Sequence, residues 1–270
     1  MKKRIYLILT EENLFHPHYF LGLFQKLPDK EFKIIGVTVL KEIYKKGFPY
    51  YLLEQYHLWG TLGFISIAVL SFVRNLLDKI QIKNTYSVQS IARIFHVPYV
   101  KIDNVNSRKH LAYLRKLNID IVISSSGQIF KKNLLELPQI ACINRHTALL
   151  PKYGGVLPVF WAMFYNEKEF GVSIHFMTPK VDQGNVVYQE IIPLIKNNSL
   201  FKNYILGFDK SIGPTIKALK NITSNKIEIF ARFHPNEKQY FSFPTLTDIK
   251  KFKKNNKPFS LSDIYFYLFR

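Results

Sequence analysis

Two short apolar runs near the start of the chain most strongly constrain its fold. Residues 5–9 and 32–40 are apolar enough to form buried strands, and the segment 19–27 between them has the length of a short helix that ends at Pro28. A strand, a crossover helix and a second strand at this spacing predict a βαβ unit. The chain therefore begins as an α/β fold with a parallel sheet.

The alternation of strands and helices resumes after residue 85. Further strands are predicted at residues 97–102, 119–124 and 140–146. Helical segments are predicted at 88–95, from Asn106 or Ser107 to 117, and at 131–137. Asn or Ser suits the start of a helix, because its short side chain accepts a hydrogen bond from a first-turn amide. Beyond these come a helix at 158–165, a hairpin of strands 171–177 and 186–193, and a closing helix at 199–221.

Residues 41–85 interrupt this pattern and read as an insertion. Their segment 61–73 is almost wholly apolar, and at 13 residues it is too short to span a bilayer. We expect a helix buried against the domain or a partner. The alternative is a helix that lies in a membrane interface, assisted by nearby basic residues, namely Lys45, Lys46, Arg74 and Lys79.

The last part of the chain differs in composition from the rest. Residues 196–270 contain 14 Lys or Arg against 5 Asp or Glu, with lysines concentrated between Lys250 and Lys257. A strand is predicted at 227–233, and the aromatic segment 240–245 is expected to pack on the main domain, with base or sugar stacking as the alternative. We therefore divide the chain into a main domain, 1–195, and a closing helix with a small basic C-terminal region, 196–270.

Charge and cysteine content limit the environment. The formal net charge of +19 favours anionic partners such as nucleic acid, nucleotides, polyglutamylated cofactors or an acidic membrane face, unless the lysines only form a solvated surface. The single cysteine, Cys142, excludes a disulfide framework and a cysteine-based metal site, which indicates a reducing, cytoplasmic environment. The first apolar run ends at Thr10, which is too early for a signal peptide.

Chemically useful side chains lie at the end of the strand predicted at 140–146. In a strand, Asn144 and His146 lie on one face and Arg145 on the other. Asp182 lies in the loop of the predicted hairpin. An amide and an imidazole can stabilise a developing oxyanion and move a proton, and a carboxylate can orient the imidazole. No Ser or Cys nucleophile is close in sequence, which favours direct transfer to an amine over an acyl-enzyme. A purely structural histidine and hairpin aspartate remain the alternative.

A longer motif surrounds these residues. Asn144-x-His146-x-x-Leu149-Leu150-Pro151-Lys152-Tyr153-x-Gly155 resembles the signature of formyltransferases that use 10-formyltetrahydrofolate, which include methionyl-tRNA, glycinamide ribonucleotide and sugar N-formyltransferases. The resemblance is good over residues 88–193 and weak over 41–85 and the C-terminal region. It continues through Asp120-Ile121-Val122, Gly127-Gln128-Ile129, Pro158, Trp161, Gly171-Val172-Ser173, Met177 and Asp182-x-Gly184.

The resemblance implies a fold and a set of roles. The fold is α/β and Rossmann-like, a mostly parallel twisted sheet with helices on both faces, here with a small C-terminal appendage. Asn144 and His146 would stabilise the oxyanion, and Asp182 would hold His146 and help take the amine proton. The co-substrate would be 10-formyltetrahydrofolate, with no metal. Its expected binding residues are Ser126, Gly127, Gln128, Ile129, Leu150, Val181 and Gly184.

The acceptor is less constrained. We expect an amino sugar on a nucleotide or lipid carrier, because the chain lacks the long C-terminal barrel expected of a tRNA formyltransferase. Gly154 stands where family members carry Arg, which implies a rebuilt acceptor side. Three alternatives stay open. The protein could formylate methionyl-tRNA, it could be a catalytically silent relative that binds folate or nucleic acid, or it could be a deformylating hydrolase. Peripheral membrane contact and a homodimer are also open.

Two weaker signals concern histidines. His16-x-His18 has the spacing of a metal-binding pair, but no carboxylate or cysteine partner is suitably spaced for it. His175 lies on the first strand of the predicted hairpin, and we expect it to have a structural role.

Overall fold

The computed structural model of the 270-residue chain describes residues 1–42, 46–80, 86–232, 234 and 239–269. One large sheet organises them, and each of its strands matches a predicted one to within a few residues. The strands of the chain are, in order, β1 (Lys3–Thr10), β2 (Phe32–Leu40), β3 (Tyr99–Ile102), β4 (Ile121–Ser125), β5 (Ala141–His146), β6 (Gly154–Gly155), β7 (Glu169–Phe176), β8 (Val186–Pro193) and β9 (Tyr240–Phe241).

The main sheet contains seven strands in the order β3-β2-β1-β4-β5-β7-β8. All pairs from β3 across to β5 are parallel, whereas β7 pairs antiparallel with β5 and β8 antiparallel with β7. The predicted parallel sheet and hairpin are therefore confirmed. The two short strands β6 and β9 pair separately.

Helices cover both faces of the sheet. The described helices are α1 (His16–Lys26), α2 (Phe48–Lys79), α3 (Val88–Ile94), α4 (Arg108–Arg115), α5 (Lys132–Leu135), α6 (Pro158–Phe164), α7 (Leu200–Asp209), α8 (Ile212–Ile222), α9 (Leu246–Asn255) and α10 (Leu261–Leu268). On β1, Ile5 and Leu7 join the larger core cluster under α1, α3 and α8, whereas Tyr6 and Ile8 join a second cluster under α4 and α5. This alternation of apolar residues to both faces is what a buried parallel strand requires.

The insertion differs from the expected buried helix. The α2 segment is broken at Gly60, whose φ of 71° and ψ of 173° are not helical. By length and composition α2 could cross a membrane, yet only 11% of its apolar window is buried within the molecule. The expectation that 61–73 is buried against the domain is therefore wrong for most of this segment, whereas burial against a partner stays a prediction. Lys45, one of the basic residues invoked beside it, lies outside the described residues.

Two predictions for the C-terminal part are also wrong in detail. The closing helix expected over 199–221 is two helices, α7 and α8, with a break at Lys210 and Ser211. Pro214 explains the break, because it lacks an N–H and its ring clashes with a carbonyl four residues earlier, so it fits only in the first turn of a new helix. The strand expected at 227–233 is reduced to an isolated bridge between Val186 and Ala231, and residue 233 lies outside the described residues.

The C-terminal helices pack on the main core. On α9, Phe252 stacks on Phe160 with ring centroids 4.4 Å apart. Phe241 of β9 stacks on Trp161 at 4.7 Å, so the aromatic segment packs on the main domain as expected. Thr245 and Ser260 begin α9 and α10 with capping boxes that pair each side chain with an aspartate three residues later. The sequence reading did not identify either helix.

Candidate active site

A cleft of 480 Å³ opens at the carboxyl edge of the sheet. The chain runs outward from β1 through β2 to β3 and then returns to β4 on the other side of β1, so the loops after β1 and β4 diverge. Open α/β sheets place ligands at such a reversal of strand order. The amide of Gly127 donates to Oγ1 of Thr10 at 3.3 Å and links the two loops at the rim of the cleft.

The structure brings Asn144, His146 and Asp182 together in this cleft. Nε2 of His146 lies 2.9 Å from the carbonyl oxygen of Tyr153. A carbonyl can only accept, so Nε2 carries the proton, and in the neutral ring Nδ1 is the basic nitrogen. Nδ1 lies 3.8 Å from Oδ2 of Asp182, which is longer than a direct hydrogen bond.

Asp182 occupies the hairpin loop between β7 and β8, with a positive φ of 53°. Its Oδ2 accepts a hydrogen bond from the amide of Gly155 at 2.8 Å, and its Oδ1 lies 3.5 Å from Nε2 of His175. Burial by itself would raise the pKa of Asp182, but the charge of His146 and the contacts with His175 and Gly155 outweigh it and hold the pKa well below its usual range. The carboxylate is therefore ionised at neutral pH.

Asn144 is held by a histidine that the sequence reading treated as structural. Nδ1 of His175 donates to the carbonyl of Phe176 at 2.9 Å, and its Nε2 lies 3.2 Å from Nδ2 of Asn144. The buried Oδ1 of Asn144 has no hydrogen-bond partner among the described residues. His175 thus contacts both Asn144 and Asp182, and Nδ2 of Asn144 keeps a second hydrogen that this contact does not use.

A hydroxyl holds the loop that follows β5. Oγ of Ser173 donates to the carbonyl of Ala148 at 2.6 Å and accepts from the amide of Leu150 at 3.0 Å. Nε2 of Gln189 reaches the same hydroxyl at 2.9 Å and the carbonyl of Leu150 at 2.7 Å. Ser173 is opposite His146 in the β5–β7 register, so this clamp sets the path of the chain immediately after β5.

The Ser173→Ala variant should be less stable by about 1–3 kcal/mol, because it leaves buried polar groups of the loop without a partner. Denaturant unfolding measures this change in the free energy of unfolding. Ser262→Ala, at an exposed position on α10, is the control and should change it by no more than about 0.5 kcal/mol. Equal stability of the two variants would show that the loop does not depend on the clamp.

The expected folate-binding residues divide into two groups. Ser126, Gly127, Gln128, Ile129 and Val181 line the cleft, whereas Leu150 and Gly184 lie outside its lining. The side-chain amide of Gln128 is engaged on the carbonyl of Asp103 and the amide of Val105, so it supports the loop. At Gly184 a Cβ would lie 1.7 Å from the carbonyl oxygen of Phe176, so only glycine fits at this position, whether or not folate binds.

Arg145 is a cleft residue whose role the sequence did not indicate beyond its opposite orientation. Its buried guanidinium stacks on Phe208 at 3.9 Å and donates to three hydroxyls, those of Ser125, Thr147 and Ser211. Burial lowers its pKa to about 10, and no carboxylate among the described residues lies within ion-pair distance of it. Arg145 is the one Lys or Arg in β5, and that was the available signal.

His16 lies at the other end of this polar chain. Its Nε2 contacts Oγ of Ser125 at 2.9 Å, and its Nδ1 pairs with Glu12 at 2.9 Å. The Glu12 carboxylate also accepts from amides at the start of α1, including that of Phe15 at 2.8 Å. His18 pairs instead with Asp209 at 3.3 Å. His16 and His18 therefore have separate partners, and the described residues contain no metal-binding cluster of three or more His, Cys, Asp or Glu.

Acid should remove the contribution of Asp182 to stability. A carboxyl whose pKa is lowered on folding stabilises the protein above its unfolded pKa, here 3.8, and this contribution falls as the pH drops toward the folded value. Wild type should be more stable than Asp182→Asn by a constant margin above about pH 5, and the margin should narrow below pH 3.8. Urea unfolding across this range measures it. Asp103→Asn, at an exposed surface pair, is the control, and a margin that stays constant in acid would contradict the ion pairing.

Sequence comparison matches the middle of the chain to one family. A family model described as Formyl transferase matches residues 78–204. This region is similar in sequence to the formyl transferase family. It contains Asn144, His146 and Asp182, whereas most of α2 and all of α8, α9 and α10 lie outside the match. The match therefore covers these three residues and leaves β1, α1, β2, most of the insertion and the C-terminal helices from α8 onward outside it.

Individual relatives give the same picture. Methionyl-tRNA formyltransferase of Staphylococcus aureus is 32% identical over 114 residues, which are 42% of this chain and 37% of that protein. The chain thus matches well under half the length of this curated relative. Phosphoribosylglycinamide formyltransferase from Anaplasma phagocytophilum has a similar fold, with a TM-score of 0.59 and 13% identity over 90% of this chain and 99% of that one.

An N-formyltransferase from Helicobacter canadensis, solved with folinic acid and dTDP-3-aminofucose, also shares the fold. The TM-score is 0.55, with 19% identity over 90% of this chain and 71% of that one. At such identities the structural likenesses establish the formyltransferase fold, and the family match of residues 78–204 rests on sequence.

Proposed function

We propose that this protein transfers the formyl group of 10-formyltetrahydrofolate to a primary amine. The observation that carries the proposal is the grouping of Asn144, His146 and Asp182 around one cleft within the region that matches the formyl transferase family. The three side chains come from β5 and from the β7–β8 loop, so the fold itself brings them together.

The cleft suits the proposed co-substrate. Its 480 Å³ lies within the range of roughly 300–1,000 Å³ that small-molecule sites occupy. The loop at Ser126–Ile129 and the turn at Val181 supply its walls, and the second hydrogen on Nδ2 of Asn144 is not used by His175. When bound, the co-substrate supplies a formyl carbon that is open to attack by an amine.

Each residue has a part that its contacts support. Asn144 donates its second amide hydrogen toward the formyl oxygen, where negative charge develops as the amine nitrogen attacks. Nδ1 of His146 and Oδ2 of Asp182 lie 3.8 Å apart, too close for an atom between them, so the attacking amine would approach from the cleft and contact both. Nδ1 of His146 then accepts the amine proton, and the ionised Asp182 stabilises the resulting imidazolium. The bond between the formyl carbon and N10 of the folate breaks, His146 returns the proton to N10, and tetrahydrofolate leaves. His175 keeps Asn144 and Asp182 in place.

We further propose that the amine belongs to an amino sugar on a nucleotide or lipid carrier. The Helicobacter canadensis structure was solved with an amino-sugar nucleotide, which supports this class. At Gly154, where the motif of the family has Arg, a Cβ would lie 3.1 Å from the carbonyl oxygen of Gln239. The C-terminal segment thus fills this side of the site, which would give the acceptor a different set of contacts.

Methionyl-tRNA is the second candidate acceptor. The sequence relationship to the Staphylococcus aureus enzyme and the net charge of +19 both favour it. The third candidate is a catalytically silent relative that only binds folate or nucleic acid. It is less well supported, because the chain keeps all three residues of the proposed catalytic set.

A transfer assay separates these alternatives. The protein is incubated with 10-formyltetrahydrofolate and, in parallel, with sugar nucleotides, lipid extracts or charged tRNA, while folate absorbance and the mass of each acceptor are followed. Formyl transfer to one pool identifies the acceptor class. Folate consumption in the absence of any acceptor would indicate a hydrolase. Folate binding without turnover in any pool would contradict the proposed activity and support a silent relative.

A further inference from the structure

The outer face of α2 is apolar over about four turns. Leu62, Ile65, Val69, Phe72 and Leu76 recur at helical spacing after the break at Gly60, and all five are exposed. Phe72 is 68% and Ile65 56% accessible to solvent. A surface helix of a soluble domain normally presents polar residues on this side, so the exposed stripe requires another partner.

The inner face of the same helix carries its polar residues. Asn13 bonds both the carbonyl of Ser71 and the side chain of Asn75, at 3.0 and 2.9 Å. Arg74 donates to the carbonyl of Asn13 at 2.7 Å and to that of Tyr86 at 3.1 Å. Over residues 71–75, α2 therefore turns polar groups toward the domain, while the stripe of apolar residues faces away from it.

The helix α10 lies beside α2 and repeats the pattern. Arg74 of α2 stacks over the ring of Tyr267 of α10 at 5.5 Å, and Leu70 and Tyr267 belong to one buried cluster. The opposite side of α10 exposes further apolar residues. We call the exposed residues of the two helices the apolar surface, and they are Leu62, Ile65, Val69, Phe72, Val73, Leu76, Leu261, Tyr265 and Leu268.

The neighbouring helix α9 carries a run of lysines. Nζ of Lys253 on α9 donates to the carbonyl of His57 on α2 at 2.6 Å, which places α9 alongside the first half of α2. The other lysines of this region are exposed, namely Lys250, Lys251, Lys254 and Lys257. Within the described residues 246–269 the two carboxylates are Asp248 and Asp263, and each is engaged in capping its own helix.

We propose that the apolar surface docks on an anionic lipid membrane, with α2 lying in the plane of the interface. Exposed aromatic and aliphatic side chains beside a run of lysines are the composition that suits such a helix. Leu58, Gly63 and Leu70 pack inward and the polar side is bonded to the domain, so α2 lies on the bilayer and does not cross it. A second copy is a poorer partner, because both copies carry a formal charge of +19 and repel each other.

Vesicle sedimentation tests the proposal without folate or acceptor, so its outcome is independent of the proposed enzymatic activity. The full chain should sediment with vesicles that contain phosphatidylglycerol and only weakly with phosphatidylcholine alone. The double variant Ile65→Gln/Phe72→Gln should reduce the partition coefficient about tenfold for each residue. Lys251→Gln/Lys254→Gln should reduce it about fivefold for each lysine, and only on the anionic vesicles.

A matched control uses exposed isoleucines elsewhere. Ile191 and Ile195 are as exposed as Ile65 but lie at the end of β8 and in the residues that follow it, so Ile191→Gln/Ile195→Gln should sediment like wild type. Circular dichroism and thermal unfolding establish that every variant folds. Wild type that stays in the supernatant with anionic vesicles would overturn the proposal. A second result would also overturn the proposal. If wild type self-associates in sedimentation equilibrium, Ile65→Gln/Phe72→Gln abolishes that self-association and no vesicle binding is seen, the apolar surface is a dimer interface.

Discussion

The His146→Ala variant should lose about 10²–10⁴-fold in kcat for formyl transfer, because it removes the group that accepts the amine proton. Nδ1 of this ring faces the ionised Asp182 across 3.8 Å, and its Nε2 is committed to the carbonyl of Tyr153. The substitution therefore removes the base and leaves the proposed folate-binding loop at Ser126–Ile129 and the turn at Val181 in place. Folate affinity should change by no more than a few fold.

Stopped assays with the acceptor identified by the pool experiment measure kcat, and fluorescence titration measures folate affinity. His18→Ala, on α1 and paired with Asp209 away from the three proposed catalytic side chains, is the matched control and should retain full turnover. Thermal unfolding must show that His146→Ala is folded. Turnover equal to wild type in a folded variant would remove His146 from the mechanism, even if the transfer activity itself is real.

The sequence predicted the sheet well, because local patterns determine most of it. Apolar runs of strand length alternate with helix-length segments, and their spacing permits parallel pairing with crossovers. The Asn144, His146 and Asp182 set could also be predicted, since strand alternation places the first two on one face and a hairpin loop carries the third. Their convergence follows from β5 being next to β7 in the sheet.

The supporting residues were not predicted because they depend on strand register. His175 becomes the partner of Asn144 only because the register of the β5–β7 pair places these two residues opposite each other. The sequence does not reveal that register. Arg145 was placed on the correct face, but its partners on α7 and on the segment between α7 and α8 are distant in sequence. Alternation along 171–177 would have placed Ser173 and His175 on the same face as each other.

The insertion and the C-terminal helices exposed a different limit. An apolar helix is normally taken to face a core, yet in α2 the polar residues satisfy the loop at Asn13 and the apolar ones face outward. Composition alone does not distinguish these two orientations. For α9 and α10 the lysine run suggested a solvated surface, although Ile249 and Phe252 form the buried face of α9.

The Asn144→Asp variant should lose at least about 10²–10³-fold in kcat, the loss expected for removal of one oxyanion donor. The substitution keeps the shape of the side chain and places an acceptor-only carboxylate where an amide hydrogen is needed. That carboxylate would lie next to His175, which also contacts Asp182, so it would add like charge to the same site. Asn144→Ala removes the donor without adding charge and serves as the comparison.

The pH profile distinguishes a donor from a merely structural amide. The carboxyl introduced by Asn144→Asp should have a raised pKa, because two neighbouring carboxylates resist simultaneous ionisation. As the pH falls, this carboxyl is protonated and regains an O–H donor, so the ratio of Asn144→Asp to wild-type kcat should rise, whereas the Asn144→Ala ratio should stay flat. Asn133→Asp, at an exposed position on α5, is the control and should follow wild type throughout. Parallel profiles for Asn144→Asp and Asn144→Ala would mean that Asn144 acts by packing and that the oxyanion donor lies elsewhere in the cleft.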